Sequence, residues 1–83
     1  MQKILDELKG LISEPMQEMN ITIDSIDYVL ENNYHFLKIV LDRVSGIDLD
    51  TIVEATNIIN PIIDKANLID EEYILDISSK ERG

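Results

Sequence analysis

Apolar side chains up to residue 19 fall at Ile4, Leu5, Leu8, Leu11, Ile12, Met16 and Met19. That three-and-four spacing lines one side of a helix, so the pattern predicts a first amphipathic helix over residues 2–19. Pro15 lacks an amide proton and is expected to kink this helix or to open a final turn capped by Ser13. From Ile21 to Glu31 the period changes. Ile21, Ile23, Ile26, Tyr28 and Leu30 alternate with polar residues, but the phase slips between Ile23 and Ile26, which a bulge near Asp24-Ser25 explains. Glu31-Asn32-Asn33-Tyr34 reads as a turn because asparagine tolerates positive φ. His35 to Asp42 then forms a second strand with Leu37, Ile39 and Leu41 on one face, completing an antiparallel hairpin. The opposite face carries Phe36 and Val40 together with Lys38 and Asp42, and is only partly apolar.

Arg43 to Ile47 is a loop through Gly46, and Asp48 is the N-cap of a second helix whose first turn carries Asp50. Ile52, Ala55, Ile59, Ile62 or Ile63, and Ala66 keep that helix amphipathic to about Lys65, with a bend expected at Asn60-Pro61. After the acidic connector Asp70-Glu71-Glu72, Tyr73, Leu75 and Ile77 alternate with Ile74, Asp76 and Ser78, a third short strand. The order α-β-β-α-β predicts an α+β fold, a two-layer sandwich with both helices packed on one face of a three-stranded sheet. The other face is left to solvent or a partner. A crossover through the second helix makes the last two strands parallel if they are neighbours; the strand order itself does not follow from the pattern.

The chain has 83 residues, enough for one core and no more, and its 45% hydrophobic content is that of a folded domain. It has no cysteine, which excludes disulfides and thiolate metal sites and points to a reducing cytoplasm. The N-terminus lacks the basic-then-apolar layout of a signal peptide, and no apolar run is long enough to span a bilayer, so a soluble protein is expected. Charge sharpens the picture. A net charge of −10 repels nucleic-acid phosphates and anionic lipid and steers cationic partners towards the domain. The plainer reading of the same acid is solubility.

Little in the chain points to catalysis. His35 stands beside Tyr34 and Phe36 without a recognisable serine or cysteine nucleophile, and carboxylate pairs such as Asp24 with Asp27 are expected by chance in so acidic a sequence. Asp42, Asp48 and Asp50 lack the ligand spacing of a calcium loop, and the three scattered glycines form no phosphate cradle. No enzyme activity, metal or cofactor is therefore expected. The element order has a counterpart in RNA-binding KH domains, but their G-x-x-G loop and basic setting are missing, so direct rRNA contact through the sheet face stays an alternative without a motif.

Several stretches, in order and at matching separations, resemble the N-terminal domain of the bacterial ribosome maturation factor RimP. They are Leu11-Ile12-Ser13-Glu14-Pro15, the strand Ile21 to Glu31, Phe36-Leu37-Lys38-Ile39-Val40-Leu41-Asp42, Gly46-Ile47-Asp48-Leu49-Asp50, and Tyr73-Ile74-Leu75-Asp76-Ile77-Ser78-Ser79. The resemblance implies a non-enzymatic role in maturation of the small ribosomal subunit, with that subunit and its basic protein numbered twelve as partners. It places the candidate contact residues at strand ends and linker: Asp42, Asp76, Ser78, Ser79 and Arg82. The plainer reading of Asp42 and the serines is local capping of strand ends and turns. The family pattern continues past the paired serines into proline-glycine and an SH3-like barrel, whereas this sequence reads Lys80-Glu81-Arg82-Gly83. The resemblance thus implies a domain over residues 1–79 and, over 80–83, a tail or the start of a linker to a barrel that this sequence does not contain.

Overall fold

A computed structural model describes residues 1–80, in which α1 (Gln2–Glu18), β1 (Thr22–Glu31), β2 (Tyr34–Asp42), α2 (Leu49–Ala66) and β3 (Ile74–Ser79) follow one another. This is the α-β-β-α-β order that the hydrophobic pattern predicts. The boundaries follow from local chemistry. In the hairpin, Asn32 and Asn33 both adopt positive φ, 51° and 67°. Two such residues form the type I′ loop whose twist matches that of the flanking strands. In β1 the pairing passes from Ile23↔Leu41 to Ser25↔Val40 and skips Asp24. The extra residue is the predicted bulge, and it lets Ile23 before it and Ile26 after it point to the same side.

The helices end as their sequences dictate, although α1 corrects one expectation. It runs through Pro15 without interruption, and Ser13 caps nothing; its hydroxyl donates back to the Lys9 carbonyl at 2.5 Å. Proline removes one helical hydrogen bond, to the Leu11 carbonyl, but Leu8, Ile12 and Met16 are fully buried on either side of it. That packing holds the helix past the break. The true stop is Asn20, left-handed at φ 61°, where the Ile21 amide donates to the Met16 carbonyl and the Asn20 amide to the Gln17 carbonyl, both at 2.9 Å. This is a Schellman end with buried Ile21 folding back over Met16. Helix α2 likewise continues through Pro61 and stops at left-handed Asn67.

At its other end α2 is capped by Asp48, whose carboxylate accepts from the Thr51 amide at 2.8 Å and the Thr51 hydroxyl at 2.6 Å. The Thr51 hydroxyl, then its amide, with a smaller contribution from the Arg43 charge, hold the Asp48 carboxyl below its ordinary value of 3.8. A depressed folded-state pKa stabilises the fold above the unfolded value, and that contribution drains away as pH falls through the folded one. Asp48→Asn retains a capping oxygen but cannot titrate. Its melting temperature is therefore expected to fall less steeply than that of the wild type between about pH 4 and about pH 2, as thermal melts followed by circular dichroism would read.

The sheet order is β1-β2-β3, with β1 antiparallel and β3 parallel to the central β2. Helix α1 packs over β1 and α2 over β3, so both lie on one side. Beneath them Leu37, Ile39 and Leu41 of β2 are fully buried against Leu8, Ile12 and Met16 of α1 and Ala55 and Ile59 of α2. Among the described residues no helix covers the second face of the sheet.

Candidate functional site

Cross-strand neighbours share a face of a sheet, so the pairing of β2 with both flanking strands lays out the uncovered face row by row. Val29, Phe36 and Ile74 form an apolar row; Asp27, Lys38 and Asp76 form the next; Ser25, Val40 and Ser78 follow. Thr22 and Asp42 close the face at the carboxyl end of β2, and Glu31 and Tyr34 close it at the hairpin. Phe36, Lys38 and Val40 are half-buried, whereas Tyr34 and Ile74 stand 62% and 46% exposed. The surface is thus an aromatic and aliphatic centre framed by carboxylates.

Parallel pairing of β2 with β3 brings Asp42, Ser78 and Ser79 to one end of the sheet. Val40 is opposite Ser78 and Leu41 opposite Ser79, after which the Lys80 amide donates to the Leu41 carbonyl at 2.7 Å. Asp42, Asp76 and Ser78 share the uncovered face, while Ser79 lies on the helix side and borders, with Asp42, a small cavity of about 200 Å³ closed by Arg43, Gly46, Ile47 and Lys80. Arg82 lies outside the described residues.

The contacts of Lys80 and Arg43 at this end, and that of Lys38 towards the hairpin, escape a reading of the sequence. Lys80 crosses the sheet end to pair with Asp24 in the bulge at 3.1 Å. Arg43 donates from Nε to the Gly46 carbonyl at 2.9 Å and reaches the Met19 carbonyl and the Thr51 hydroxyl from its guanidinium nitrogens, tying α1, the loop and α2 together. Gly46 itself has φ +87°, a conformation that favours glycine. Lys38 leans along β2 to pair with Glu31 at 2.5 Å, placing its ammonium 5.9 Å from the centre of the Phe36 ring. The hydrogen bond to Glu31 is the main cause raising the Lys38 pKa, with Asp76 and Asp27 adding to it. Only strand register reveals these pairs. Lys38 and Glu31 are seven positions apart, Lys80 and Asp24 fifty-six.

On the helix side, an open groove of about 960 Å³ runs between the hairpin turn, the end of α2 and the connector before β3, with His35, Asp64, Glu71 and Tyr73 on its walls. His35 stacks on Tyr28 with ring centres 5.1 Å apart and its Nε2 lies 3.3 Å from Glu71, while Tyr73 meets Tyr28 edge-on. The Tyr28 hydroxyl is shielded from solvent and near the Glu71 carboxylate without standard hydrogen-bond geometry; burial first, then that charge, raises its pKa. His35 is spent on fastening the connector to the hairpin. No serine or lysine lines this groove, and among the described residues no group of acids and histidine is arranged to hold a metal ion.

Fold and surface together define a small acidic α+β domain, two helices over a mixed three-stranded sheet whose other face is uncovered. The chain belongs to the family of the RimP N-terminal domain, whose model matches residues 11–80. The match takes in the later part of α1, from Leu11 onward, and every element after it. Membership carries a role in ribosome maturation and association with the small ribosomal subunit, and this is not a family of known enzymes. No helix among the described residues is long and apolar enough to cross a membrane.

Proposed function

We propose that this domain works in the cytoplasm as a non-enzymatic module of small-subunit maturation that holds a basic ribosomal protein, the family's protein twelve, against its acidic sheet face. The observation that carries this reading is that Asp42, Asp76 and Ser78 share the uncovered sheet face, Asp76 in its middle row and the other two towards the carboxyl ends of the parallel strands, in a chain of net charge −10. Ser79 borders the same end, and Arg82 follows in sequence. Such a field accelerates encounter with a lysine- and arginine-rich polypeptide and penalises nucleic acid. Contact with rRNA through the same face has the exposed ring of Tyr34 and the half-buried ring of Phe36 in its favour as stacking surfaces, and the surrounding carboxylates against it.

The immobilised chain, offered total small-subunit ribosomal proteins, is expected to retain protein twelve at low ionic strength and to release it as salt approaches about 0.5 M, where screening is short-ranged. Retention that ignores salt, or none at low salt, contradicts the reading.

A further inference from the structure

The contact between Lys38 and Phe36 has a feature that a simple surface ion pair lacks. The ammonium is hydrogen-bonded to Glu31 and lies over the face of an aromatic ring, with Val29 and Ile74 flanking that ring from the neighbouring strands. Aromatic face, carboxylate and aliphatic walls are what a cationic side chain requires, for head and stem respectively. Lys38 also has an alternative position within reach. Its cross-strand neighbours are Asp27 and Asp76, so a flexible four-carbon stem can swing back between two other carboxylates and keep its charge compensated.

We propose that Phe36 and Glu31 form a seat for an arginine side chain of the basic polypeptide partner, and that Lys38 occupies this seat until the partner displaces it. The inference rests on the reading that the partner is a basic protein, and it adds the contact and the residue type. Arginine is the better occupant on three counts. Its planar guanidinium stacks on a ring, its fork can engage both oxygens of Glu31, and it sheds water more readily than an ammonium. Charge complementarity fixes the class of ligand: Glu31, Asp27 and Asp76 surround the ring, while Lys80 is held at the far end of the sheet by Asp24. Displacement then exchanges one cation for another without stranding a charge.

The test uses the 83-residue chain and a dye-labelled hexa-arginine peptide, read by fluorescence anisotropy at low salt. Lys38→Ala vacates the seat; Lys65→Ala removes the same charge from the exposed surface of α2. Lys38→Ala is expected to tighten peptide binding about five-fold more than Lys65→Ala does, and Phe36→Leu added to Lys38→Ala is expected to abolish that excess. Leucine keeps the apolar row filled, and a melting curve verifies that the double variant folds. Equal tightening by the two lysine variants, or a gain that survives Phe36→Leu, overturns the seat while leaving an acid-driven partner possible. Failure of every variant to bind the peptide overturns the seat and the basic-partner reading together. Binding of oligo-uridine that weakens with Phe36→Leu overturns the seat by assigning the ring to base stacking.

Discussion

Ile39→Ala is expected to cost roughly 2–5 kcal/mol of folding free energy, a large share of what a domain of this size possesses. Ile39 is fully buried at the middle of the central strand, paired with Ile26 on one side and Ile77 on the other, beneath both helices. Truncation removes apolar contacts that no neighbour can replace without moving the sheet or a helix, because β2 is held from both edges. At about 4–8 °C per kcal/mol for a chain this short, the melting temperature should fall by at least about 8 °C. The adjacent Val40 is the control. It points to the uncovered face and is half-buried there, so Val40→Ala should cost well under half as much. Urea unfolding of both variants checks the comparison. Similar losses would mean that the second face is covered in solution and that the layer assignment is wrong.

The second large effect concerns binding. Reversing Asp42 and Asp76 to lysine is expected to weaken association with protein twelve on the order of ten-fold at low salt, mostly by slowing encounter. Both acids lie on the uncovered face, Asp76 opposite Lys38 and Asp42 opposite Thr22. The same change of net charge can be made on α1, at the exposed residues Glu7 and Glu18. If overall acidity alone attracted the partner, the two double variants would behave alike. If the sheet face is the contact, only the first should suffer more than about a three-fold loss. Asp76 is exposed and Asp42 half-buried at the strand end, so a melting curve of the double variant verifies that it folds.

Much of this architecture is legible in the residues because local rules and burial agree. The phase slip from Ile23 to Ile26 can be accommodated in a strand only by an extra residue, and the skipped Asp24 is that residue. Two consecutive asparagines between alternating runs leave little choice but a hairpin, and Asp48 before Thr51 is a cap by chemistry. Where local and tertiary terms compete, the reading fails. The helix over residues 2–19 is legible, but a final turn capped by Ser13 is not what forms: the buried Leu8, Ile12 and Met16 carry the helix through Pro15 to its stop at Asn20. Pairing β3 with β2 depended on strand order, which no pattern of hydrophobic residues encodes. That order is what sets Asp42 beside Ser78 and Ser79 and frames Lys38 with two aspartates. The seat on Phe36 was illegible for the same reason: it is made by three strands, and each contributes residues that look like ordinary strand grammar alone.

The salt dependence of the affinity for protein twelve, measured by titration calorimetry on the wild type and on the Asp42→Lys, Asp76→Lys variant, tests the account most directly. The wild type should lose affinity steeply as ionic strength rises, and the variant, with two of its facing acids reversed, should start weaker and decline along a visibly shallower line. Parallel lines of equal affinity would show that this face does not meet the partner.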